Sequence, residues 1–135
     1  MREEGSLRVA RILRDDPDMV VWWSSRVECA SAVARLIRAG KLDPHSQYHA
    51  RRRLAELWLR ALDVEPTSEL RERAIRLVNL HPLRAADALQ LAAALDWYEE
   101  RPAGAGFVCL DERLRAAATR EGFDVYPLAE EVHEP

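Results

Sequence analysis

Apolar and polar positions along the chain fall into two rhythms. Met19-Val20-Val21-Trp22-Trp23 is a continuous apolar run of strand-forming residues, the pattern of a strand covered on both faces. A helical period takes over next. Ser24 or Ser25 caps a helix through about Ala39, with Val27, Ala30, Ala34 and Ile37 recurring on one side and Gly40 closing it. Asp43-Pro44 reads as a cap followed by proline at the first helical position, opening a long helix to about Ala61. Leu54, Leu57, Trp58 and Ala61 line one side, and Trp58 with Leu54 and Leu57 is expected in the core. Leu62–Glu65 is a short strand ended by Pro66, and Thr67 or Ser68 caps a helix carrying Leu70, Ala74, Leu77 and Val78.

The next stretch organises the rest. Pro82 to about Glu100 is rich in Ala and Leu, so it predicts a closely packed helix opening at the proline, with Ala88, Leu91, Ala92 and Leu95 on one face. Pro102–Gly106 forms a turn and Phe107–Leu110 a strand. Asp111 begins a helix through Ala118 that Gly122 ends, and Asp124–Tyr126 is a last short strand. Upstream, Glu4 to Arg14 reads as a helix with Leu7, Ile12 and Leu13 on its apolar side, stopped by Asp15-Asp16-Pro17-Asp18. Strands alternating with helices predict an α/β fold with a mostly parallel sheet, forming one domain over residues 1–128. Residues 129–135 read as an acidic C-terminal tail.

Composition narrows the class. With 48% hydrophobic and 32% charged residues the chain is globular rather than disordered. It has neither a signal-peptide pattern nor an apolar span of about 18 residues, so no membrane association and a cytoplasmic location are expected. Cys29 and Cys109 sit among Val, Ala and Leu and read as small core residues. The net charge of −3 hides an asymmetry. From Arg26 to Arg60 there are eight basic residues against three acids, whereas from Glu121 onward there are five acids and no Lys or Arg. A basic flank of that kind suits a polyanion or an acidic partner.

Chemistry enters with the acids. In open α/β sheets, sites form beyond the carboxyl ends of the strands. Glu28 lies in the first helical turn after the first strand, Asp111 directly follows Leu110, and Asp87 sits near a helix start. Gathered carboxylates repel one another unless a cation holds them, and hard oxygen ligands suit Mg²⁺ or Mn²⁺ meeting a phosphate. The plainer reading of each acid is a partner for a helix dipole. His45 and His49 are four apart, a spacing two metal ligands could share, but with no third ligand in the pattern they read as surface histidines. Trp58 with Leu54 and Leu57 could alternatively form a groove for a partner helix.

Three motifs in register carry a resemblance. Val27-Glu28-Cys29-Ala30-Ser31-Ala32, then Ala86-Asp87-Ala88-Leu89-Gln90-Leu91-Ala92, then Leu110-Asp111-Glu112-Arg113-Leu114 with Ala116-Ala117-Ala118 and Gly122-Phe123, together resemble a PIN domain. The nearest subgroup is the VapC-type toxins of toxin–antitoxin pairs. The resemblance implies a PIN-like three-layer fold, with the family's central first strand and its aspartate lacking a counterpart in this sequence. It implies a metal-dependent endoribonuclease in which Glu28, Asp87 and Asp111 hold Mg²⁺ or Mn²⁺ and water is the nucleophile. Arg84, Arg113, Arg51 and Arg52 are then the expected RNA-binding residues, and the expected partners are RNA, a cognate antitoxin protein and a second copy in a homodimer. The alternative is a catalytically inactive, truncated PIN-like module that binds an antitoxin or RNA without cleaving.

Overall fold

The computed structural model describes residues 19–128. The helix expected over residues 4–14 and the acidic tail over 129–135 lie outside them. Within these bounds the order is β1 (Met19–Trp22), α1 (Ser25–Arg38), α2 (Pro44–Arg60), β2 (Ala61–Val64), α3 (Ser68–Leu80), α4 (Ala85–Trp97), β3 (Gly106–Val108), α5 (Glu112–Glu121) and β4 (Asp124–Tyr126). Caps set most boundaries. The Asp43 carboxylate accepts from the Ser46 amide at 2.7 Å, Thr67 Oγ1 from Leu70 at 3.1 Å, and Asp111 Oδ1 from Leu114 at 2.9 Å. Gly122 closes α5 at φ 108°, where a Cβ would lie 3.0 Å from Pro102 Cγ.

The fold is α/β and its strands pair in parallel. Among the described residues they form two separate two-stranded sheets rather than one. β1 runs beside β2 with Met19 opposite Ala61 and Trp22 opposite Val64. β3 runs beside β4 with Gly106 opposite Asp124 and Val108 opposite Tyr126. Further backbone bonds extend both ladders, from the Trp23 amide to Val64 O at 3.1 Å in the first, and from the Cys109 amide to Tyr126 O at 3.1 Å and the Asp124 amide to Ala105 O at 2.9 Å in the second.

α4 is the centre of the core. Ala88, Leu91 and Ala92 are fully buried, and Ala93 and Leu95 nearly so. A helix apolar on more than one side belongs between other elements. Leu70, Ala74 and Leu77 of α3 pack against it, with Leu114, Ala117 and Ala118 of α5, and with Trp22, Val64 and Phe107 from the strands. An ionic cluster joins the middle and C-terminal end of α3 to the C-terminal ends of α4 and α5. Arg73 donates to Asp96 at 2.7 Å and to Glu100 at 3.0 Å, Arg76 reaches Glu121 at 3.4 Å, and buried His81 Nε2 lies 2.8 Å from Glu121.

Several expectations need correcting. α4 opens at Ala85, not at Pro82, because Arg84 is extended at ψ 159° and the Leu83 amide turns back to His81 O at 2.8 Å. The third strand stops at Val108, two residues short of Leu110. α2 buries no residue: Leu54, Leu57 and Trp58 are partly exposed, and among the described residues its main neighbours are α1 and β2. α1 likewise buries none, and Val27 is 67% exposed. Cys29 and Cys109 are half-buried free thiols; Cys109 packs against the core, as expected, whereas Cys29 lies outside it.

Candidate functional site

Each of the three predicted carboxylates is delivered by the local chemistry of its own segment. Ser24 occupies the N-cap of α1, yet its hydroxyl makes no capping bond. It donates instead to Glu28 Oε1 at 2.7 Å. The other oxygen, Glu28 Oε2, accepts from Gln90 Nε2 at 2.7 Å. Gln90 is one turn beyond Asp87 on α4, so this bond ties the first turn of α1 to the N-terminal half of α4.

Asp87 lies in the first turn of α4, half-buried. Its carboxyl is held above the ordinary carboxylate range, first by burial and then by the negative charge of Asp111. The Arg84 guanidinium opposes this, and Glu28 adds a smaller upward push. Asp111 lies beyond the end of β3, past Cys109 and Leu110, as the exposed N-cap of α5. Arg115 fixes that corner by donating to the carbonyl of Cys109 at 2.9 Å and to the carbonyl of Pro127. Glu28, Asp87 and Asp111 therefore come from three separate segments into one electrostatic neighbourhood, and Arg84 shares it.

The donor chemistry suits a hard cation. A carboxylate has about four lone-pair positions, so Glu28 with two acceptor bonds and Asp111 with one retain capacity. The like-charge strain on Asp87 is what a bound cation would relieve. The spacing is looser: among the described residues no group of three His, Cys, Asp or Glu side chains is close enough to hold one ion. The rim is a convergence of charge rather than a formed coordination sphere.

The predicted basic residues divide. Arg84 stands beside Asp87, and Arg113 is exposed on the first turn of α5. Arg51 and Arg52 belong elsewhere, on α2. With Pro44, Gln47 and Tyr48 they line an open cleft of about 550 Å³. Arg51 also borders an apolar groove of about 360 Å³ between α1 and α2, floored by Val33, Leu54 and Trp58. None of the three carboxylates lines either cleft.

Two residues at the rim escaped sequence reasoning. Gln90 carried a signal, since a polar side chain three positions after Asp87 shares its helix face. Ser24 carried the opposite signal, because a serine before a helix reads as a cap. Arg26 was missed as a structural link. It donates to Asp63 through two nitrogens at 3.1 and 2.9 Å and lies 5.1 Å above the Trp58 ring, which joins α1 to both β2 and α2.

No helix among the described residues is long and apolar enough to cross a membrane. No protein-family model, curated protein or solved structure matches this chain.

Proposed function

We propose that the rim formed by Glu28, Asp87 and Asp111 is the site of a metal-dependent endoribonuclease of the PIN type. The observation that supports this most directly is the charge convergence at Asp87, whose carboxyl feels both Asp111 and Glu28 although the three are far apart in sequence. In this reading these three carboxylates hold Mg²⁺ or Mn²⁺, which supplies water activation and neutralises charge on a phosphodiester. Ser24 and Gln90 orient Glu28, and Arg84 and Arg113 face the RNA backbone. The two parallel strand pairs belong, in the same proposal, to the flanks of a three-layer PIN-like sheet. A cognate antitoxin and a second copy of the chain are the protein partners it implies.

The test is cleavage of a long unstructured RNA by the purified chain in MnCl₂. Cleavage that stops in EDTA and in Asp87→Asn is the expected result. Cleavage that persists in either condition overturns the assignment.

A second reading has its own support. The loose spacing of the carboxylates and the two hydrogen bonds already engaged by Glu28 favour a module that binds RNA or an antitoxin without cutting. It predicts salt-sensitive RNA retention with no turnover in MnCl₂. The basic residues of α2 then carry the binding, so Arg51→Ala and Arg52→Ala weaken it and Asp87→Asn does not.

A further inference from the structure

The structure holds a second arrangement of metal-ligating atoms, away from the acidic rim. His45 and His49 stand on successive turns of α2, both exposed, and their Nε2 atoms face each other at 3.1 Å. The rings are edge-to-face with centroids 4.3 Å apart. We propose that this pair chelates a nitrogen-preferring divalent transition ion, of the Ni²⁺, Cu²⁺ or Zn²⁺ class.

The distance itself carries the argument. Imidazole nitrogens bind such ions at about 2.0–2.1 Å. Two nitrogens held 3.1 Å apart then subtend about 98° at the ion, between the octahedral value of about 90° and the tetrahedral one of about 109°. In the hydrogen-bonded pair each nitrogen is aimed along the Nε2···Nε2 line, so to aim both lone pairs at one ion each exposed ring swings by about 40° while the nitrogens keep their spacing. Without the ion, one Nε2–H donates to the other nitrogen. With it, both rings take the Nδ1–H tautomer and present two lone pairs, with no net proton release when both are neutral.

The surroundings select the kind of ion. The pair sits at the start of a helix, whose dipole disfavours a cation, and Arg51, Arg52 and Arg53 follow on the same helix. The Asp43 carboxylate at the N-cap offsets part of this, and Arg52 is engaged by Glu56 at 3.3 Å. An ion held by charge alone, such as Mg²⁺, gains little here. One bonded through nitrogen keeps its affinity, in the order Cu²⁺ above Ni²⁺ above Zn²⁺ for a simple two-nitrogen site. No third His, Cys, Asp or Glu joins the pair among the described residues, so water fills the remaining positions. This site does not depend on the ribonuclease reading and involves none of its residues.

Calorimetric titration of the untagged whole chain with NiCl₂, CuCl₂ and MgCl₂ tests it. One Ni²⁺ or Cu²⁺ bound through the pair is expected, whereas any Mg²⁺ heat should be the same in the parent and in the histidine variants below. His45→Gln and His49→Gln, both surface changes, should each weaken Ni²⁺ binding by roughly 100-fold, because each removes the second arm of a chelate. Absence of Ni²⁺ and Cu²⁺ binding overturns the proposal. So does Ni²⁺ affinity that is unchanged in both variants, since the ion would then sit on other residues.

Discussion

Leu77→Ala set against Leu59→Ala probes what positions the rim, because the two leucines lie on helices consecutive in the chain but in opposite environments. Leu77 is 0% exposed and packs in the core around α4, whereas Leu59 is 87% exposed on α2. Truncating Leu77 removes three carbon groups, and at about 0.8 kcal/mol each the transfer loss is about 2.4 kcal/mol if the site collapses fully. A rigid site would keep a cavity of up to ~80 Å³, and at ~24 cal/mol per Å³ this adds ~2 kcal/mol. The expected destabilisation is therefore about 2.4–4.4 kcal/mol, against at most about 0.5 kcal/mol for Leu59→Ala. Urea unfolding followed by circular dichroism reads both. With a slope of about 2 kcal/mol/M, the Leu77 variant should lose about 1–2 M in midpoint while the Leu59 variant stays near the parent. A loss below about 1 kcal/mol for Leu77→Ala, or equal losses for the two, would refute the assignment of α3 and α4 as the core that carries Asp87.

The remaining predictions follow from single sites. Asp87 has a native pKa raised above its unfolded value, so ionising it opposes folding; the penalty is absent below the unfolded pKa and fully present above the folded one. Asp87→Asn should therefore melt higher than the parent at neutral pH, with the gap closing as pH falls through the carboxylate range, and a lower melting temperature at pH 7 would contradict this. Burial pushes the Cys109 thiol up to about 12, so it should react with iodoacetamide at pH 8 far more slowly in the native chain than in urea; equal rates would show the thiol is accessible. Gly122→Ala forces a Cβ into a left-handed position 3.0 Å from Pro102, and a loss of about 1–3 kcal/mol in chemical denaturation is expected. Thr67→Ala deletes the cap of α3 and should lower stability by about 1 kcal/mol, where no change would mean the Leu70 amide finds water instead.

Much of the local structure was legible because its signals are local. Asp43-Pro44, Thr67, Asp111 and Gly122 mark helix ends through their own side chains or backbone, and each sits where that chemistry required. The burial of α4 was legible from Ala88, Leu91, Ala92 and Leu95. Tertiary context was not. Leu54, Leu57 and Trp58 follow a core period, but period gives a direction and not a partner, and the partner of α2 is a helix that itself buries nothing. Pro82 offered a helix start on composition, while the turn at His81 and Leu83 delayed it to Ala85. Glu28 and Asp111 were legible as positions beyond strand ends, and Asp87 as an acid near a helix start. The spacing between them depends on how α1, α4 and α5 pack, which the strand-and-helix pattern does not encode.

The seating of α1 has a dynamic consequence. α1 and α2 contribute no fully buried side chain, and among the described residues the side-chain bonds that tie them to the rest are those of Arg26 with Asp63 and of Glu28 with Gln90, with Arg26 also over Trp58. Asp87 and Asp111 belong to helices anchored in the core. The amides of α1 and α2 should thus exchange with solvent through a subglobal opening that leaves α3, α4 and α5 protected. Glu28 travels with the opening unit. A ligand that bridges Glu28 to Asp87 must suppress that opening, so its affinity and the protection of α1 measure one coupled free energy.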